Sequence, residues 1–192
     1  HGISVTRLQM VMAMSAIANN GRLMRPFLVN RLEDREGHVM AQYQPELVRQ
    51  VVSESTAQQM VRALKTVVTK DGTAEKAALD FYTVAGKTGT AQKTIEGVAG
   101  YAAGKYIASF IGFFPADKPE LCISIVMDEP KQGYYGGLTA APVVRDFATA
   151  AANYLNIRPD RTNAPAVLAS AANAWSGARS APSAVVKPLP NP

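Results

Sequence analysis

Three successive segments with strand-like composition constrain the fold more than any other feature of the sequence. They cover residues 82–92, 105–114 and 121–127, and links rich in glycine or proline separate them. A parallel pair of strands needs a long crossover connection, usually a helix, whereas an antiparallel pair needs only a turn. Neither link, 93–104 or 115–120, carries a helical pattern. The three segments are therefore predicted to form an antiparallel meander.

Apolar residues at helical spacing predict three helices around this meander. The first has the clearest start, because Thr6 and Gln9 have the spacing of a capping box. Two short strands, 27–32 and 38–43, are predicted between the first two helices. The fold class is therefore α+β, with an antiparallel sheet packed with helices. The predicted helices run from the Thr6 cap to Asn20, from a Ser53 or Ser55 cap to Asp71, and from a Thr139 cap to about Leu155.

Composition divides the chain near residue 157. The patterned segments all lie within residues 1–157, which are predicted to fold. Residues 158–192 hold six of the 12 prolines and nine alanines, with few large apolar side chains. A segment of this composition buries too little apolar surface to offset the entropy lost on ordering. Residues 158–192 are therefore expected to form a disordered tail.

Charge and cysteine content narrow the classes of function. The net charge is +5, but the basic residues are scattered and lack interleaved aromatic side chains, so no nucleic-acid partner is predicted. Cys122 is the single cysteine and stands in an apolar run, which is typical of a small buried hydrophobe. No disulfide within the chain is possible, and no cysteine-ligated zinc site is expected. No metal or cofactor site is predicted.

The segment 84–92 carries the most informative motif. Its Gly86-Lys87-Thr88 also ends the phosphate-binding P-loop, but that loop needs glycine five positions earlier, where this chain has Phe81. A P-loop also needs a helix directly after the threonine, and a strand pattern follows here instead. In the other interpretation, Lys87-Thr88-Gly89 is the Lys-Thr-Gly triplet found in serine β-lactamases and penicillin-binding proteins.

Further motifs accompany the triplet along the chain. They are, in chain order, Gly2-Ile3-Ser4-Val5-Thr6 ahead of a helix, Gly72-Thr73-Ala74, Val84 to Gln92, Phe110-Ile111-Gly112-Phe113-Phe114-Pro115, and Tyr134-Tyr135-Gly136-Gly137 ahead of Ala140-Ala141-Pro142. Together they make the chain similar to class B penicillin-binding proteins, in the C-terminal part of their transpeptidase domain. Residues 155–160 are similar to the close of the cell-division (septal) branch of that family. The tail lies outside the resemblance.

The resemblance implies the β-lactamase/transpeptidase-like fold and a peptidoglycan D,D-transpeptidase, which cross-links stem peptides by acyl transfer through a serine. β-Lactam antibiotics acylate the same serine in this family, and neither a metal nor a cofactor takes part. Partners in the cell-division branch include divisome proteins. The implied location is the outer side of the cytoplasmic membrane, where an N-terminal helix anchors the protein. This sequence contains no signal peptide and no apolar stretch long enough to cross a membrane.

The same resemblance assigns roles to residues of the Lys-Thr-Gly segment. Lys87 places a positive charge where the serine loses its proton and the substrate carboxylate binds. Thr88 and Thr90 offer hydroxyls to that carboxylate, and the backbone N–H of Thr90 completes the oxyanion hole. Gly89 leaves the strand edge open to an extended peptide.

Two tyrosines complete the predicted substrate site. Tyr134 and Tyr135 resemble the aromatic wall that the family places beside its cleft. The hairpin tip within 93–104 is expected near the mouth of that cleft.

Two motifs of the family are missing from this sequence. Neither Ser-x-x-Lys nor Ser-x-Asn occurs, and in the family both precede the Lys-Thr-Gly strand. They are therefore expected upstream of His1, in an N-terminal half that would be a partner of this chain. The chain on its own is expected to be inactive, because it supplies the strand wall of the site without the nucleophile.

Two alternatives to a transpeptidase stay open at this point. A serine β-lactamase or a β-lactam sensor domain shares the Lys-Thr-Gly strand. A non-catalytic fragment or binding module is the other alternative. Rapid hydrolysis of β-lactams, in place of a retained acyl group, would distinguish a β-lactamase.

Overall fold

The three strand-like segments form one antiparallel sheet in the computed structural model, which describes residues 3–95, 97 and 100–161. The helices are α1 (Arg7–Ala18), α2 (Glu54–Thr66) and α3 (Gly136–Leu155). The strands are β1 (Arg22–Met24), β2 (Arg31–Glu33), β3 (Val39–Gln42), β4 (Leu47–Gln50), β5 (Ala85–Thr94), β6 (Tyr101–Phe114) and β7 (Leu121–Asp128).

The sheet has the strand order β5-β6-β7, so the predicted meander is confirmed. Ala85 lies opposite Phe113 at one end of the β5–β6 pair, and Thr94 lies opposite Tyr101 at the other. Each strand pairs antiparallel with the next one along the chain. This order leaves β5, which carries the Lys-Thr-Gly triplet, at an edge of the sheet.

Helix α3 packs over one face of the sheet. Phe110 is fully buried beneath it, and Phe114 and Ile123 extend the same apolar layer. Small residues on α3, among them Ala140 and Ala148, allow the helix backbone to approach the strands closely. Tyr82 packs edge-on against Phe114, with ring centroids 5.5 Å apart.

Helices α1 and α2 cover the opposite face at the start of β5. Leu64 of α2, Phe113 and Ala85 are buried together there, and Ile17 of α1 packs against them. Cys122 lies at the edge of this cluster, where burial raises the pKa of its thiol. Helices on both faces of an antiparallel sheet confirm the predicted α+β class.

Side-chain caps place the first two helices where the sequence predicts them. Thr6 accepts a hydrogen bond from the Gln9 backbone N–H, and the Gln9 side chain accepts one from the Thr6 N–H, which completes the capping box. Ser53 caps α2 by accepting from the backbone N–H of Thr56. Helix α2 ends at Thr66, five residues earlier than predicted.

The region between α1 and α2 differs from its prediction. The apolar run 27–29 is not a strand, and the strand that pairs with β3 covers only Arg31–Glu33, next to the turn that joins β2 to β3. Asp34 sets that turn by accepting from the backbone N–H groups of Glu36 and His38. The backbone bond from His38 contributes most to lowering the pKa of Asp34. The β1–β4 pair was not predicted, because its three- and four-residue strands are too short to show alternation.

The start of α3 also differs from its prediction. The helix begins at Gly136, and Thr139 lies inside its first turn, where the hydroxyl donates to the Tyr135 backbone oxygen. Close approach of two backbones determines this start, because a Cβ at Gly136 would lie 2.1 Å from the Ser109 backbone oxygen. Packing of the glycine start against the sheet therefore outweighs the capping preference of Thr139.

The end of the fold is held by hydrogen bonds to residues that precede β5. The Tyr82 hydroxyl donates to the Ile157 backbone oxygen at 2.9 Å, and burial raises the pKa of Tyr82. Asp160 accepts from Thr83 twice, at 2.7 Å from the backbone N–H and through the hydroxyl. The chain is therefore anchored beyond residue 157.

Arg161 is the last described residue and also contacts the fold, since its guanidinium donates to the Leu79 backbone oxygen at 3.1 Å. The first residues of the predicted tail, 158–161, thus lie against residues 79–83. The rest of the predicted tail, 162–192, lies outside the described residues. No helix in the described part of the chain has the length and apolarity that crossing a membrane requires.

These contacts predict where the chain can be shortened. Removing residues 162–192 from the protein is expected to leave its melting temperature unchanged, because these residues include few large apolar groups. Ending it at Ile157 removes both Asp160 bonds to Thr83 and is expected to lower the melting temperature by about 4 °C or more.

Thermal unfolding followed by circular dichroism measures both truncations. Asp160→Asn in the full-length protein is the matched point variant and should reproduce part of the loss. A lower melting temperature for the protein ending at Arg161 would show instead that residues 162–192 dock on the fold.

Candidate active site

The outer edge of β5 is open to solvent. No strand in the described ranges pairs with that side of β5. An open edge presents backbone N–H and C=O groups in a row, to which an extended peptide can add as a further strand. The edge that carries the Lys-Thr-Gly triplet therefore has backbone groups to which an extended chain could pair.

The residues of the triplet point to both faces of the sheet. Lys87 lies opposite Ile111, on the face that α1 and α2 cover at the start of the strand. Thr88 lies opposite Phe110, on the face covered by α3. Because side chains alternate along a strand, Thr90 shares the face of Thr88. The open edge thus has a cation on one face and two hydroxyls on the other.

Lys87 has no carboxylate partner among the described residues. Its Nζ donates to the Thr88 backbone oxygen at 3.0 Å, and its side chain is exposed. Lys93, farther along β5, is ion-paired at 2.9 Å with Asp128 and at 2.7 Å with Glu129. Hydrogen bonds to those carboxylates, Asp128 first, raise the pKa of Lys93, and the bond to Lys93 lowers the pKa of Glu129. Lys87 is therefore the cation of β5 that remains available to an anionic ligand.

Backbone groups of alternate residues point to the same side of a strand. The N–H of Thr90 therefore points to the same side of β5 as the Thr88 backbone oxygen, which accepts a hydrogen bond from the Lys87 side chain.

Gly89 places no side chain at the centre of the site. A Cβ at this position would lie 2.5 Å from the hydroxyl oxygen of Ser109, which stands opposite it on β6. A side chain at this position would therefore force the Ser109 hydroxyl to move.

Two hydroxyls of the site receive a hydrogen-bonding partner from the α3 side of the sheet. The Gly136 N–H donates to the Thr90 hydroxyl oxygen at 3.3 Å. The hydroxyl oxygens of Thr73 and Thr88 lie 3.0 Å apart. Sequence reasoning assigned no role to Thr73, Gly136 or Ser109, although the first two stand in motifs of the family resemblance.

Tyr134 and Tyr135 lie beside the same part of β5. The Tyr134 ring stacks on that of Tyr106, with centroids 4.4 Å apart and planes inclined by 19°. Tyr106 stands opposite Gln92, two residues beyond Thr90. The Tyr134 hydroxyl donates to that of Tyr135 at 3.2 Å, and this bond raises the pKa of Tyr134. The structure thus brings the two tyrosines next to the strand that carries the other predicted site residues.

An open groove follows the second half of β5. Its volume is about 510 Å³, and Ser4 lies on its wall. The residues that line it are Ile3, Ser4, Ala91 to Thr94, and Ile107. No serine in the chain precedes a lysine by three residues, so the groove has no activated nucleophile of the predicted kind.

Within residues 3–95, 97 and 100–161, one group of side chains has the types found in metal sites. Potential ligand atoms of Asp34, Glu36 and His38 lie within 4.8 Å of one another in the turn between β2 and β3. The Asp34 carboxylate already accepts two backbone bonds and one from the His38 ring, at 2.9 Å for the last. These hydrogen bonds stabilise the turn, which explains why the three side chains lie close together.

Comparison with known proteins places this geometry in a family. Residues 1–149 match the model described as the penicillin binding protein transpeptidase domain. The chain is 38% identical over 160 residues to stage V sporulation protein D of Bacillus subtilis, covering 82% of this chain and 24% of that protein. It is also 38% identical over 65 residues to peptidoglycan D,D-transpeptidase FtsI of Buchnera aphidicola, covering 33% of this chain and 11% of that protein.

The fold has counterparts among solved structures. Penicillin binding protein 3 of Mycobacterium tuberculosis, complexed with ampicillin, matches with a TM-score of 0.75 and 32% identity, over 86% of this chain and 38% of that one. Among the curated relatives, the chain spans about a quarter of the length of the first ones that it matches.

Proposed function

The chain belongs to the penicillin-binding protein transpeptidase family, and we propose that the protein containing it is a peptidoglycan D,D-transpeptidase of the cell-division branch. The substrates are the stem peptides of peptidoglycan, and β-lactams are inhibitors that acylate the same serine. One observation carries this proposal: the Lys-Thr-Gly triplet lies on an open sheet edge, where its lysine has no carboxylate partner among the described residues and two hydroxyls lie on the opposite face.

The reaction divides into two acyl transfers. A serine supplied from outside this chain attacks the carbonyl carbon of the penultimate D-Ala, and the bond to the terminal D-Ala breaks. The serine proton leaves with the amine of the released D-Ala. An amine of a neighbouring strand then attacks the acyl-serine, forms the cross-link and returns a proton to the serine oxygen.

The residues of this chain bind and polarise the substrate in both steps. The backbone N–H of Thr90 donates to the oxygen that becomes negative in each tetrahedral intermediate. Lys87 stabilises negative charge on the serine and on the substrate carboxylate. The hydroxyls of Thr88 and Thr90 hold that carboxylate, while Gly89 lets the stem peptide lie along the edge. Tyr134 and Tyr135 contact the substrate from the side.

The setting of the protein follows from the same proposal. It acts in septal cell-wall synthesis together with other proteins of the division machinery. The catalytic domain lies on the outer side of the cytoplasmic membrane, where its polymer substrate is found. Residues 1–157 supply the C-terminal part of this domain.

Labelling of the full-length protein with a fluorescent penicillin tests the proposal. We expect a stable covalent adduct, and release of D-Ala from a synthetic D-Ala-D-Ala stem peptide in the absence of penicillin. Fast loss of the label with stoichiometric excess of hydrolysed penicillin would identify a β-lactamase instead. No labelling of a folded protein would favour the non-catalytic alternative.

A further inference from the structure

Thr73 reaches the Lys-Thr-Gly strand from outside the sheet. Its hydroxyl oxygen lies 3.0 Å from that of Thr88. Thr73 belongs to no strand or helix and precedes the short helical turn Glu75–Ala77. It is exposed, so burial of its own side chain does not explain the contact.

The backbone of Thr73 is fixed more tightly than its exposure suggests. The next residue, Ala74, is buried, and its N–H donates to the Val67 backbone oxygen at 2.8 Å. On the other side, a Cβ at Gly137 would lie 1.8 Å from the Thr73 backbone oxygen, so the start of α3 is in close contact with it. Two elements thus hold the Thr73 hydroxyl against β5.

Either hydroxyl could be the donor in this contact, and the choice decides which proton stays free. A hydroxyl has one proton to donate and two lone pairs to accept with. When Thr73 donates to Thr88, the Thr88 proton stays free for an anion. Thr90 has the same arrangement, because its oxygen accepts from the Gly136 N–H and its proton stays free. Both hydroxyls on this face are then donors toward the open edge.

From these contacts we infer that Thr73 is a positioning residue for substrate binding, which donates to Thr88 and so orients the Thr88 hydroxyl toward the substrate carboxylate. This inference rests on the proposed function. It gives Thr73 no contact with the substrate, so its effect passes through Thr88. The effect belongs to binding of the carboxylate and not to the chemistry of acyl transfer.

Acylation kinetics of the full-length protein with fluorescent penicillin test this role. Thr73→Val removes the hydroxyl and keeps the shape of the side chain. It is expected to raise the half-saturating penicillin concentration about fivefold to tenfold, since one oriented hydrogen bond is lost, and to leave the saturating rate unchanged. Thr73→Ser keeps the hydroxyl and should restore the parent value.

A second set of variants, made in a protein that carries Thr88→Val, distinguishes a positioning role of Thr73 from a structural one. In a protein carrying Thr88→Val, adding Thr73→Val should have no further effect, because the hydroxyl that Thr73 orients is gone. Thr69→Val is the matched control, since the Thr69 hydroxyl donates only locally, to the Thr66 backbone oxygen at 2.7 Å. It should leave both kinetic constants unchanged.

The outcomes distinguish this inference from the proposal beneath it. A parent protein that takes no label overturns both. A labelled parent whose Thr73→Val variant behaves like Thr69→Val overturns the inference alone. Equal effects of Thr73→Val in the parent protein and in the protein carrying Thr88→Val also overturn it, because they show action that does not pass through the Thr88 hydroxyl.

Discussion

Replacing Lys87 by alanine in the full-length protein is expected to slow acylation by a β-lactam about 100-fold or more, with little change in melting temperature. The side chain is exposed and makes one hydrogen bond, to the Thr88 backbone oxygen, so its removal opens no cavity. The loss is large because the other lysine of β5, Lys93, is held by Asp128 and Glu129 and cannot take its place.

Stopped-flow labelling with a fluorescent penicillin measures this effect. Lys93→Ala is the matched control on the same strand and should acylate at close to the parent rate. Lys87→Arg keeps the charge but changes its geometry, and should recover only part of the rate. Near-parent acylation by a folded Lys87→Ala protein would remove Lys87 from the site.

Residues 1–192 expressed alone are expected to take no covalent label from fluorescent penicillin, whereas the full-length protein is labelled. The reason is that no serine in this chain is followed three residues later by a lysine that would activate it. The isolated chain should also fold poorly, because apolar side chains at its start are exposed, Ile3 by 78% and Leu8 by 58%.

Adding the upstream part of the protein as a separate chain should restore both compact folding and labelling. Mass spectrometry after digestion then locates the adduct, which is expected on the added part. Ser109 is the serine to inspect first in this chain, since it stands opposite Gly89 on the face of Lys87. An adduct on any serine of residues 1–192 would refute the assignment of the nucleophile to another segment.

Local patterns were sufficient to predict the frame of the site. The meander followed from three strand-like segments with links that carry no helix, and Thr6 and Gln9 defined the first helix through interactions three residues apart. The edge position of β5 followed from strand order alone. These features depend on neighbours in sequence, which is why the sequence reveals them.

Features that depend on distant backbone contacts were not predictable in the same way. The start of α3 is set by the approach of Gly136 to the Ser109 oxygen on β6, and Thr139 gives no sign of it. Pairing of β1 with β4 joins strands separated by more than 20 residues and leaves most of their side chains exposed or half-buried, so no alternation marks them.

The division of the site between two faces was predictable only in part. Alternation along β5 separates Lys87 from Thr88 once the strand is known. The contact of Thr88 with Thr73 was not predictable, because Val67 at the end of α2 and Gly137 at the start of α3 together determine where Thr73 lies. A motif that resembles the family can thus mark a residue without disclosing its role.

The open edge of β5 has a consequence for the solution behaviour of the protein. Backbone groups that can accept an extended peptide can equally accept the same strand of a second copy, which is the first step of edge-to-edge aggregation. A charged side chain on an edge opposes such pairing, because two copies would bring like charges together. Lys87 is therefore expected to oppose self-association of the protein, and its replacement by a neutral residue is expected to lower solubility as well as the rate of acylation.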